Sequence, residues 1–129
     1  MRIGELAAAA NTTTKTLRFY EGSGLLPAPA RTPGGYRDYA RDSLSRLDFI
    51  RRAQSAGLTL AHIRQVLRIR DDGHPPCEHV RDLLEQRLTG LDAQINDLIA
   101  LRQSIGELHA AAATTDPDTC PPGEICRYV

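Results

Sequence analysis

The chain has no tryptophan, two phenylalanines, four tyrosines and three cysteines among 129 residues. So few aromatics mean a modest, aliphatic core, and this length suits one small domain or a domain with an appendage. A modest core favours stabilisation through a second copy of the chain. No run of about 18 apolar residues occurs, so no membrane span is expected. Glu5 interrupts "MRIGELAAAA", and no apolar stretch follows, so the segment does not read as an export signal. The expected location is cytoplasmic. Thiols stay reduced there, and an odd cysteine count points to metal or redox chemistry rather than disulfides. There is no Ser-His-Asp set, no paired carboxylates and no glycine-rich phosphate loop, which argues against an enzyme.

Net charge is also lacking, but its absence conceals an asymmetry. Residues 1–70 carry 12 Lys and Arg against 5 Asp and Glu, whereas residues 71–129 carry 4 against 11. A basic half of this kind is the electrostatic footprint of a polyanion-binding surface.

Along the chain, Ile3, Leu6, Ala7 and Ala10 share one face of a short helix. "NTTT" breaks that pattern, and Thr12 or Thr13 caps a second helix that Gly22 and Gly24 end. Two short helices joined by a tight turn make a helix-turn-helix, whose second helix presents its polar face to DNA. Here that face carries Thr13, Thr14, Lys15 and Arg18, with Leu17 inward. Pro27, Pro29, Pro33 and Gly34-Gly35 forbid a helix and predict a hairpin, a wing bearing Arg31, Tyr36 and Arg37. A third helix is expected over 41–56, stopped by Gly57, and a fourth is capped by Thr59, with His62 structural. "RDDGHPP" reads as a linker. From Cys77 to about Ala112 the pattern predicts one long helix. Its stripe of Val80, Leu84, Leu91, Leu98, Leu101, Ile105 and Leu108 is too narrow for a globular core. A lone helix of this length needs a partner, which predicts a homodimer. The tail from Thr114 is turn-forming.

The stretches "IGELA" (3–7), "TLRFYEGSGLL" (16–26), "GYRDY" (35–39) and "RRAQSAGLTLAHIRQVL" (51–67) together resemble the MerR family of transcription regulators, and the likeness covers nearly the whole chain. "CEHV" at 77–80 resembles the branch that senses metal ions. The resemblance implies a mainly α fold. A winged helix-turn-helix DNA-binding domain would span 1–70, a linker 71–76, a long antiparallel coiled-coil dimerisation helix 77–113, and a metal-binding loop and tail 114–129. Arg18 and Tyr20 match positions that contact the operator, Thr13 and Lys15 phosphate or groove contacts, Tyr36 and Arg37 wing contacts, and Arg31 a backbone contact. The implied partners are double-stranded promoter DNA and RNA polymerase, with no membrane. Activation would distort the promoter, and the inducer would favour one dimer conformation over another.

The resemblance also assigns the thiols. Cys77 matches the position where sensors of soft divalent ions carry cysteine and copper(I) sensors carry serine. Cys120 and Cys126 resemble the metal-loop pair, built against Cys77 of the partner subunit. The loop departs from the family pattern. "HAAAATT" carries no thiol where the first loop cysteine stands, and Cys120-Pro121 resembles the second, leaving Cys126 displaced. Either Cys120 and Cys126 form a rebuilt pair or one alone binds. Three thiolates suit mercury, lead, cadmium or zinc, with mercury or lead ahead; zinc and cadmium would need a fourth donor from His74, His79, His109 or Glu124. A copper(I) sensor and a metal-free thiol-redox switch using Cys120 and Cys126 are the alternatives. An iron–sulfur cluster needs four cysteines and is excluded.

Overall fold

A computed structural model describes residues 1–129 and divides into two compact units, Met1–Arg87 and Leu88–Val129. In the first, α1 (Ile3–Ala9) and α2 (Thr14–Gly22) are joined by a tight turn. Asn11 takes a left-handed backbone there (φ 53), which asparagine tolerates better than most residues. The Thr13 hydroxyl accepts from the Thr16 N–H at 3.1 Å and starts α2. Gly24 follows α2 with φ 81, and the chain reverses.

Two two-residue strands, β1 (Ala30–Arg31) and β2 (Arg37–Asp38), pair antiparallel with Ala30 opposite Asp38 and Arg31 opposite Arg37. Their turn closes through the Gly35 N–H donating to the Thr32 carbonyl at 2.8 Å. Then come α3 (Asp42–Ser55) and α4 (Leu60–Asp71), separated by Gly57 at φ 82. Thr59 caps α4, and the His62 ring nitrogen Nδ1 accepts back from the Thr59 N–H at 3.4 Å, so His62 is structural. Asp71 belongs to α4 rather than to the expected linker.

The core is aliphatic. Leu6, Leu17, Leu25, Leu26, Ile50, Ile63 and Val66 are its most deeply buried side chains, and Tyr39 is its one buried aromatic. Each such aliphatic side chain contributes about 1.5–3 kcal/mol. The long helix α5 (Cys77–Thr114) begins on this core: Leu83 is buried and Val80 packs against it. Val80 therefore belongs to the core, not to the exposed stripe expected from spacing. Leu83, absent from that expectation, is the better-buried residue.

Beyond Arg87, α5 buries nothing. Leu88, Ile95, Leu98, Leu101, Ile105 and Leu108 are all exposed. Counting from Leu84, the spacing alternates four and three up to Leu98, and the step from 98 to 101 inserts an extra three. The tail forms a 3-10 turn, Pro117–Thr119, and closes on itself. Arg127 donates to the Thr119 carbonyl and hydroxyl at 3.1 and 2.7 Å, and the Tyr128 hydroxyl donates to the Thr115 carbonyl at 3.4 Å.

Candidate nucleic-acid interface and thiols

The fold gathers arginines from three segments. Arg2 precedes α1, Arg18 lies on α2, and Arg31 and Arg37 lie on the two strands. Together with Ile3, Gly35 and Tyr36 they line one shallow cleft of ≈ 180 Å³. Four guanidinium groups around one opening form an anion-attracting site, with planar donors matched to phosphate oxygens.

Each side chain is held by its surroundings. Arg31 Nη1 donates to the Gly35 carbonyl at 3.0 Å, bracing the hairpin tip. The Arg2 guanidinium lies over the Tyr36 ring, 4.4 Å from its centroid, a cation–π contact that orders the exposed tyrosine. Arg37 Nε sits 3.2 Å from Glu21 Oε2 of α2. The same carboxylate oxygen accepts from the Tyr39 hydroxyl at 3.4 Å. Burial raises the Tyr39 phenol pKa, and the adjacent Glu21 charge raises it further. Glu21 thereby fixes the base of the hairpin to α2.

On α2, Lys15 and Arg18 are exposed and Leu17 is fully buried. Tyr20 is half-buried, its hydroxyl donating to Gln54 Oε1 at 3.4 Å. Thr13 is exposed, but its hydroxyl is occupied by the cap. Phe19 went unnoticed in the sequence, yet it is an exposed aromatic beside Arg18. The signal was present: Leu17 points inward, and two residues on a helix has turned roughly half-way round. Such an apolar group suits contact with a thymine methyl. Arg2 was also missed, because its role appears only once the hairpin stands beside it.

Not every cation of the basic half serves this face. Arg51 and Arg52 both pair with Asp48, at 2.8 and 3.0 Å. Arg51's hydrogen bond is the main cause of a lowered Asp48 pKa. Arg46 is buried and paired with Asp71.

The thiols are all free. Cys77 and Cys126 are exposed and Cys120 is half-buried. Cys77, being exposed, is not a core thiol. Cys77 opens α5, while Cys120 follows the 3-10 turn and Cys126 precedes the closing Arg127. Turn bonds shape the segment between them: Cys120 N–H to the Pro117 carbonyl at 3.5 Å and Glu124 N–H to the Pro121 carbonyl at 3.1 Å. Within one chain no three His, Cys, Asp or Glu groups converge into a metal site. His79 Nε2, two residues from Cys77, is buried without a hydrogen-bond partner. His74 and His109 are exposed.

Comparison with known proteins gives concordant matches. The model of a family described as "MerR HTH family regulatory protein" matches residues 1–69, and one described as "MerR, DNA binding" matches residues 44–108. The chain is 38% identical over 115 residues to the HTH-type transcriptional regulator ZntR of Escherichia coli K12, covering 88% of this chain and 82% of that protein. It is 36% identical over 107 residues to the mercuric resistance operon regulatory protein of Bacillus cereus, covering 83% and 81%. The crystal structure of the regulator PbrR691 from Ralstonia metallidurans CH34 in complex with lead(II) superposes with a TM-score of 0.77. It is 38% identical, covering 93% of this chain and 94% of that one.

Proposed function

Because the chain belongs to the MerR family of DNA-binding transcription regulators, we propose that it binds promoter DNA as a homodimer and activates transcription when a soft divalent metal ion binds. The arginine-lined cleft between α2 and the hairpin carries this reading. Arg18 meets the operator from the cleft and Tyr20 from elsewhere on α2, Thr13 and Lys15 meet a phosphate or groove edge, and Arg31, Tyr36 and Arg37 grip the backbone from the hairpin. No helix is long and apolar enough to cross a membrane.

The exposed stripe of α5 is the dimer seam. Pairing it antiparallel covers apolar surface that nothing in the chain covers, and two-fold symmetry uses the same patch twice. The working divisions are a DNA-binding domain over 1–71, a linker at 72–76, the long helix at 77–114 with the seam beyond its first turns, and the loop and tail at 115–129.

The donor set fits a thiophilic ion. Cys77 of one subunit, with the partner subunit's Cys120 and Cys126, would hold it; a bound soft divalent ion supplies a cross-link between three thiolates. Relatives include the regulator ZntR, a mercuric resistance regulator and a regulator crystallised with lead(II), which supports a soft divalent ion as the inducer. The metal does not hold the protein on DNA. It biases which dimer conformation is populated, and the bias cannot exceed the difference in metal affinity between conformations. The favoured conformation distorts the promoter so that RNA polymerase can use it.

The test is to change Cys77, Cys120 and Cys126 separately to Ser, then measure operator binding and transcription with mercury, lead, cadmium, zinc and copper(I). Each variant is expected to bind DNA and to lose induction. A wild-type-like Cys126→Ser would reduce the site to two thiolates. Induction by copper alone, or by oxidation in metal-free protein, would overturn the divalent-metal assignment.

A further inference from the structure

Arg46 is a charge inside the core, 6% exposed, and neither the DNA cleft nor the thiols use it. It stands on α3, yet its guanidinium binds two other segments. Nη1 and Nη2 donate to the two carboxylate oxygens of Asp71 at 2.7 and 3.0 Å, and Nε donates to the Leu25 carbonyl at 2.6 Å. Leu25 lies on the chain leaving the recognition helix α2 towards the hairpin. Asp71 is the last residue of α4, just before the turn that leads to Cys77 and α5. One planar group therefore sets the spacing between the exit of α2 and the exit of α4.

A second tie runs parallel. Arg64 of α4 donates from Nε to the Ser23 carbonyl at 2.7 Å, and Ser23 caps the C-terminus of α2. Both ties end on backbone carbonyls at the end of the recognition helix, so a shift of α4 bears on that backbone through two arginine side chains.

Stability alone does not account for Arg46. A buried ion pair is commonly matched or bettered by apolar side chains of similar volume. What the guanidinium offers is three donors fixed in one plane, which lysine cannot present at once. The pair is also asymmetric: Arg46 is enclosed, whereas the Asp71 side chain is 51% exposed. The contact can open on the Asp71 side without stranding a carboxylate away from water. Opening would leave Arg46 held by the Leu25 carbonyl alone, so the closed contact is favoured and a change at Asp71 is felt at Arg46.

We infer that Arg46 and Asp71 are positioning residues that transmit the state of the α4–α5 junction, where Cys77 stands, to the recognition helix and the hairpin. The inference rests on the metal-responsive reading above. It adds the contact through which occupancy at Cys77 alters the pose of α2 on DNA, a coupling carried by packed, hydrogen-bonded elements.

The experiment uses the full-length dimer, operator DNA, RNA polymerase, and mercury(II), lead(II), cadmium(II) or zinc(II) as the probe. Asp71→Asn keeps the shape and removes the charge. At neutral pH melting drops only by the ion pair's contribution, and operator affinity without metal and metal affinity are expected to stay close to wild type, while metal-induced transcription falls by about tenfold or more, within the usual range of allosteric coupling. Asp71→Glu, which restores the charge, is expected to recover part of the induction. Asp71→Asn induced like wild type would overturn the inference. So would a loss of induction matched by an equal loss of operator affinity, which marks a merely structural contact. If the wild type shows no induction with mercury, lead, cadmium or zinc, the metal-responsive reading fails and the coupling falls with it; if the wild type responds and Asp71→Asn responds equally, the coupling alone fails. Arg46→Lys provides a second variant, expected to bind operator and to respond weakly; full response by it would also overturn the inference.

Discussion

Consider Leu98→Ala in the long helix. Leu98 is 64% exposed in the single chain, so most of its side chain remains to be covered. Fully burying a leucine contributes about 1.5–3 kcal/mol, so covering the remaining two-thirds contributes about 1–2 kcal/mol. A two-fold seam uses each residue twice, giving about 2–4 kcal/mol per dimer. At 1.4 kcal/mol per factor of ten, the dimer Kd should rise by about 30- to 700-fold. Sedimentation equilibrium over a range of concentrations measures it. The fold of each unit should not change, because Leu98 touches no core residue. Leu98→Asp, which places a charge in an apolar seam, should weaken the dimer further. An unchanged Kd for Leu98→Ala would refute the argument and place the interface elsewhere.

Three further outcomes are expected. Arg18→Ala should lower operator affinity by about 1–3 kcal/mol in a fluorescence anisotropy titration; affinity equal to wild type would mean that α2 is not the recognition helix. Gly57→Ala should destabilise the protein by about 1–2 kcal/mol, the cost of a left-handed backbone for an L-residue. Its φ is 82, and a Cβ there would lie 2.5 Å from Arg87 Nε, so Arg87 must also move; urea unfolding would show no change if this backbone were unstrained. The Arg46 hydrogen bonds hold the Asp71 carboxyl below the ordinary carboxylate range, against an opposing effect of partial burial. A depressed carboxylate stabilises the fold fully above its unfolded pKa and loses that contribution as pH falls through the native value. The gap in melting temperature between wild type and Asp71→Asn should therefore be full near neutrality and shrink below about pH 4. A gap constant from pH 6 to pH 3 would contradict this, provided both proteins remain folded.

The local elements were legible because their causes lie within a turn or two of chain. Thr13 and Thr59 cap the helices that follow them, and Gly57 breaks the chain where a left-handed residue is needed. The prolines and Gly34-Gly35 announce the hairpin, and a 38-residue helix with an apolar stripe announces its need for a partner. The three thiols and the basic half were visible by inspection, and the motif stretches brought the family with them. What the tertiary structure decided concerns pairings between segments distant in sequence. Arg46, Arg51 and Arg37 look alike in a list of basic residues. Folding buries the first against Leu25 and Asp71, ties the second to its neighbour Asp48, and sets the third beside Glu21 in the arginine-lined cleft. Helical spacing could not tell Val80 from Leu84, because both fit the same stripe; only the presence of the core beneath the first turns of α5 separates them. Periodicity states which face of a helix is apolar. What covers that face depends on where the rest of the chain lies.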